Sequence, residues 1–115
     1  MKMDIRYASH PEDAMHYTTG ELREKFLIEE VFVPDEANFT YSHIDRVIAG
    51  GIMPVKSGVK LKAGKELAAE YFLERREMGC INIGGTGVIT IDGEKYDMNP
   101  RDGIFIGKGA KDVSF

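Results

Sequence analysis

Cysteine is all but missing: Cys80 stands alone among 115 residues, so no disulfide can form within the chain and no thiolate zinc site can be built from it. A reducing compartment fits that usage. Histidine is scarce too. His10, His16 and His43 show neither His-x-His nor His-Glu-x-x-His, and no metal site is legible from their spacing. Long apolar runs are also lacking. The longest, Val47 to Val55, is interrupted by Gly50 and Gly51 and is far too short to span a bilayer, and the N-terminus has no stretch of signal-peptide length. The expected location is cytoplasmic, without a membrane partner. Fifteen basic against nineteen acidic residues leave a net charge of -4 with no basic stripe, which excludes a nucleic-acid footprint. Phosphate-loop patterns fail as well. Lys108 is followed by Gly109 rather than Ser or Thr, and Gly84-Gly85-Thr86-Gly87 opens a strand, not a helix.

What is present points to β structure. Ile and Val number 18 against 5 Leu, and branching at Cβ favours the pleated surface. Thirteen glycines fall between short apolar runs, where tight turns need them. Ile, Val, Leu and Phe make up about a quarter of the chain, above the level that leaves a chain disordered. Residues 1–17 read as an irregular arm or a first short strand. Thr18 then caps a short helix ending near Phe26, with Glu21 closing a capping box and Leu22 and Phe26 forming one buried stripe. Leu27 to Val33, Phe39 to Ile44, Arg46 to Val55 and Glu66 to Glu74 are of strand length. The clearest signal is Gly79 to Met98, read as strand, glycine turn, strand, Asp92-Gly93 hairpin turn, strand, with Ile89 and Ile91 on one face. After Ile104 to Ile106 the chain reaches Val113-Ser114-Phe115, which reads as the start of a strand needing a partner and suggests a fragment whose apolar end drives association.

The candidates for chemistry are few. His43, in Tyr41-Ser42-His43-Ile44, either faces a pocket or finishes a strand. Glu74-Arg75-Arg76-Glu77 follows the apolar run Tyr71-Phe72-Leu73, and its adjacent guanidinium forks suit a substrate carboxylate such as that of an acidic sugar. The same four charges also describe a solvated turn or a salt-bridge network between subunits. Arg75 and Arg76 are the candidate substrate-binding residues, and His43, Glu74 and Glu77 the acid/base candidates. Cys80 reads as a small core residue.

Two resemblances follow from longer patterns. Glu77, six residues and Gly84, then a glycine turn, Asp92-Gly93-Glu94 and Pro100-Arg101-Asp102, resemble the core of a cupin, which implies a jelly-roll β-barrel with a short N-terminal helix. The histidines of a metal-binding cupin are absent from the corresponding positions, where Glu70 to Leu73 and Ala110 to Val113 stand. More specifically, FLIEEVFVPDE, YSHIDRVIAGGIMPV, YFLERREMGCINIGGTG and DGIFIGKGAKDVSF resemble the N-terminal half of the 4-deoxy-L-threo-5-hexosulose-uronate ketol-isomerases, over about Leu22 to Phe115. That resemblance implies an all-β cupin-like barrel over residues 20–115 behind an arm of residues 1–19, as the first of two barrels. It further implies zinc held by histidines and a glutamate of the second barrel, and a homo-oligomer, commonly a hexamer. The implied enzyme is an aldose-ketose isomerase interconverting 5-dehydro-4-deoxy-D-glucuronate and 3-deoxy-D-glycero-2,5-hexodiulosonate in pectin breakdown. The other reading is a stand-alone, non-catalytic cupin-like module that binds an acidic sugar or self-assembles.

Overall fold

A computed structural model describes residues 1–115. Its hairpin shows most directly how sequence sets structure. Strands β5 (Gly87–Ile91) and β6 (Glu94–Met98) pair antiparallel across Asp92 and Gly93, whose φ values are +47° and +87°. Two successive positive φ values make the primed turn whose twist matches that of the strands. Ile89 is buried and Val88 points outward, as the alternation requires. The Asp92 carboxylate adds a clamp by accepting from the N–H groups of Lys111 and Asp112 at 3.0 and 2.8 Å.

The same clamp delivers the following residues to the other side of β5, where β8 (Val113–Ser114) pairs antiparallel with it. Val59 and Phe115 exchange two backbone hydrogen bonds of 2.8 Å, and Leu61 donates to the Val113 carbonyl at 2.9 Å. Val113 is therefore 2% exposed. The apolar end expected to lie open is covered by the chain's own residues 59 to 61, a pairing too distant in sequence to be read locally. Strands β4 (Met78–Ile81) and β7 (Gly103–Ile106) form a separate antiparallel pair.

Toward the N-terminus, β1 (Lys2–Arg6) runs parallel to β2 (Ala37–Ser42), which pairs antiparallel with β3 (Val47–Ile52). Residues 1–17 thus begin with a strand. Leu27 to Val33, expected as a strand, joins no ladder: the Asn38 amide donates to the Glu30 carbonyl at 2.7 Å and holds the segment by a side chain instead. Glu66 to Glu74 is not a strand either. A 3₁₀ turn (Lys65–Leu67) is closed by Ala68 at φ 46°, and the buried residues are Leu67, Phe72 and Leu73, a spacing without period two. Ala68 is exposed, and the left-handed region is unfavourable for any side chain with a Cβ. Ala68→Gly is expected to raise stability by about 0.5 kcal/mol, read as a higher urea midpoint. A lower midpoint would show that Ala68 contributes packing.

Helix α1 (Pro11–Ala14) is capped by His10, whose Nδ1 accepts from the Glu12 N–H at 3.1 Å, with proline in the first turn. Helix α2 (Thr19–Phe26) starts where the capping residues place it. The Thr18 hydroxyl oxygen accepts from the Glu21 N–H at 3.2 Å, while the Glu21 carboxylate takes the threonine hydroxyl rather than the backbone. The stripe expected to be buried is not: α2 has no buried residue, and Leu22 and Phe26 remain 41% and 48% exposed.

The architecture is mostly β, and its ladders make three small sheets, ordered β1-β2-β3, β4-β7 and β6-β5-β8, none of which closes on itself. Met1–Met53 and Pro54–Phe115 are two compact units.

Candidate functional site

In the unit Pro54–Phe115, the charged cluster sits on a loop made by its buried neighbours. Phe72 and Leu73 point inward, and the Leu73 carbonyl accepts from the Gly109 N–H at 2.8 Å. Glu74 turns back, its N–H donating to the Tyr71 carbonyl at 3.2 Å and its carboxylate accepting from the Glu70 N–H at 3.0 Å. That second bond occupies the carboxylate with its own loop. Arg75 and Glu77 are exposed, Arg76 is half-buried, and β4 begins directly afterwards. Arg75 therefore presents a planar fork to solvent at the mouth of β4, a geometry suited to a carboxylate.

In the unit Met1–Met53, His43 follows β2 and donates its backbone N–H to the Arg6 carbonyl at 2.8 Å. Its ring lies 4.9 Å from that of Tyr7, nearly parallel to it, and 4.6 Å from that of Tyr41. Tyr41 lies near the end of β2 and His43 in the turn that follows it, and their rings meet across that strand end. The parallel pairing of β1 with β2 brings Tyr7 to them, and that contact left no local sequence signal. Beside β1 and α2 runs an open groove of about 960 Å³, whose lining includes Arg6, Tyr7, Tyr17, Arg23 and Glu29. Arg6 is tied to Asp4 at 3.0 Å and to the Leu27 carbonyl, and Arg23 pairs with Glu29. Both of these arginines thus already face carboxylates.

His43 belongs to one unit and Glu74, Arg75, Arg76 and Glu77 to the other, so neither unit by itself assembles all five. No group of three or more His, Cys, Asp or Glu could hold a metal ion, and the residues of this chain do not fit the zinc that the resemblance implies. No helix is long and apolar enough to cross a membrane.

Cys80 lies half-buried on β4, and burial pushes its thiol above the ordinary range. It is expected to react with a maleimide at pH 7.5 several-fold more slowly than in urea-unfolded chain; equal rates would contradict its burial. Because the folded state holds this proton more tightly, Cys80 favours folding less as pH rises from the ordinary thiol range through the raised value.

No family model matches the chain. A curated 4-deoxy-L-threo-5-hexosulose-uronate ketol-isomerase of Lachnoclostridium phytofermentans is 58% identical over 113 residues, which is 98% of this chain and 41% of that protein. The enzyme of the same name from Escherichia coli is 53% identical over 115 residues, and ketol-isomerase 2 of Enterococcus faecalis 51% over 113. The chain is homologous to the uronate ketol-isomerases. It spans about two fifths of the length of the curated relatives it matches. The match runs through both units, so it spans the segments that carry the His43 stack and the Glu74–Glu77 loop alike.

Proposed function

We propose that these 115 residues act as part of a uronate ketol-isomerase that interconverts 5-dehydro-4-deoxy-D-glucuronate and 3-deoxy-D-glycero-2,5-hexodiulosonate. The supporting observation is 58% identity sustained over 98% of the chain to a protein of that name. The reaction moves a proton between neighbouring carbons through an enediol and needs a base, an acid and an electrophile. This chain's share is to orient the substrate. Exposed Arg75 receives the uronate carboxylate, with Arg76 beside it. In the other unit, His43 is flanked by Tyr7 and Tyr41 and offers a polar edge within a separate aromatic surface. Glu74 and Glu77 complete the loop's charge. In this reading any zinc is held by residues outside this chain.

The reading also carries a cupin-like jelly roll over residues 20–115 as the first of two barrels, a cytoplasmic homo-oligomer and an acidic-sugar substrate. The consecutive antiparallel strands β4 to β8 with their Asp-Gly hairpin support the first of these. The test is a chimera in which this chain replaces the matched 113 residues of the Lachnoclostridium enzyme. Retained isomerase activity is the expected result. A chimera that melts cooperatively and is inactive would overturn the reading. In the active chimera, Arg75→Gln is expected to raise KM for the uronate by about tenfold, the scale of one charge-assisted contact. Unchanged KM in both Arg75→Gln and Arg76→Gln would remove the arginines from the site.

A further inference from the structure

The pair β4–β7 has one face turned inward and one left open. Register places Ile81 opposite Gly103 and Gly79 opposite Phe105. Residues directly opposite share a face, so Ile81 and Phe105 stand diagonally on the same side, each across from a glycine. Both are largely uncovered, 74% and 67% exposed, and Ile83 just beyond β4 is 71% exposed. A Cβ placed on Gly79 would meet nothing within 4 Å. The surface is thus two apolar knobs alternating with two hollows. No charged residue occurs from Met78 to Ile83 or from Gly103 to Gly107, although charges are what usually protect an open strand pair. A two-stranded sheet is marginal in water by itself, and an uncharged apolar patch of this kind marks a contact surface.

The length of the relatives supplies a candidate occupant. The match accounts for 41% of the Lachnoclostridium protein and of the Escherichia coli protein alike, so most of each of those chains lies outside it. We propose that the outer face of β4–β7, with Ile81, Ile83 and Phe105, is the seat of that remaining polypeptide, which presents apolar side chains to the hollows at Gly79 and Gly103. The assignment rests on the ketol-isomerase reading for the identity of the covering polypeptide. It concerns the joint between the two parts and not the reacting groups.

The experiment compares Phe105→Cys in the 115-residue chain and in the chimera, with maleimide labelling followed on the peptide that carries position 105. Labelling at least tenfold slower in the chimera is expected. Equal rates would overturn the proposal. Labelling that slows in the isolated chain as its concentration rises, with no further protection in the chimera, would assign the face to a second copy and overturn it equally. Ile83→Cys repeats the comparison at a second exposed position. Hydrogen exchange gives a readout independent of both substitutions and of chimera folding, by comparing β7 in the 115-residue chain with the corresponding segment in the whole Lachnoclostridium enzyme. Protection confined to the whole enzyme is expected, and none in either would overturn the proposal. The activity of the unsubstituted chimera separates the two claims. An active, unprotected chimera sinks this inference alone, and a protected, inactive one sinks only the functional reading.

Discussion

Gly50→Ala is expected to destabilise the chain by about 3 kcal/mol, at the upper end of what overpacking produces, and to lower the urea midpoint accordingly. Gly50 lies in β3 opposite Phe39. An added Cβ would fall 2.1 Å from the Asn38 carbonyl oxygen, 2.7 Å from Phe39 Cδ1 and 2.9 Å from Phe39 Cα. Two of those atoms are backbone and cannot rotate aside, so relief requires β2 and β3 to move apart. β2 is also the only ladder partner of β1, and His43 hangs from the end of that pair through the Arg6 carbonyl. The damage is therefore expected to reach the aromatic stack of Tyr7, His43 and Tyr41, visible as altered aromatic side-chain NMR signals. Gly85→Ala is the matched control. A Cβ there meets nothing within 4 Å, so its midpoint should stay within about 0.5 kcal/mol of the parent. Equal effects at the two glycines would show that chain entropy, and not close approach, decides the cost.

The elements legible in the sequence were those whose determinants are local. Asp92-Gly93 specifies its own turn, and Thr18 with Glu21 specifies the start of α2. Glu66 to Glu74 looked like a strand because its apolar residues are dense, but Ala68 reverses the chain and burial follows Leu67, Phe72 and Leu73. The stripe Leu22–Phe26 has helical spacing, yet spacing does not supply a surface to bury it. The candidate site divides in the same way. Arg75 and Arg76 could be selected because they are adjacent and follow an apolar run, and the structure leaves the first exposed and the second half-buried. His43 could be selected only as an isolated histidine, since its partner Tyr7 arrives through a parallel pairing with no local signature. Arg6 has no sequence signal that separates it from the other charges of the arm. Its carbonyl accepts from His43, a contact that exists only once β1 lies beside β2, while its guanidinium reaches Asp4 on its own strand and the Leu27 carbonyl.

Leu73→Ala is expected to cost about 3 kcal/mol, within the range for a buried leucine. Leu73 is the largest fully buried side chain, so truncation leaves a cavity that its neighbours fill only in part. Its position gives the substitution a second consequence. Leu73 immediately precedes Glu74 to Glu77, and its carbonyl accepts the Gly109 N–H at 2.8 Å, tying the loop to the segment that leads into β8. The side chain anchors the backbone from which Arg75 projects. If that arginine meets the uronate carboxylate, loosening its base should raise KM in the chimera while leaving kcat nearly unchanged, because uniform binding is lost and not a contact confined to the transition state. Phe105→Ala in the isolated chain supplies the contrast. A residue 67% exposed should lose less than about 1 kcal/mol on truncation. Midpoints that fall equally for Leu73→Ala and Phe105→Ala would place the core elsewhere. A large loss of stability at Leu73 with unchanged KM at a temperature where the chimera is still folded would separate the anchor from the site and leave the loop a purely structural role.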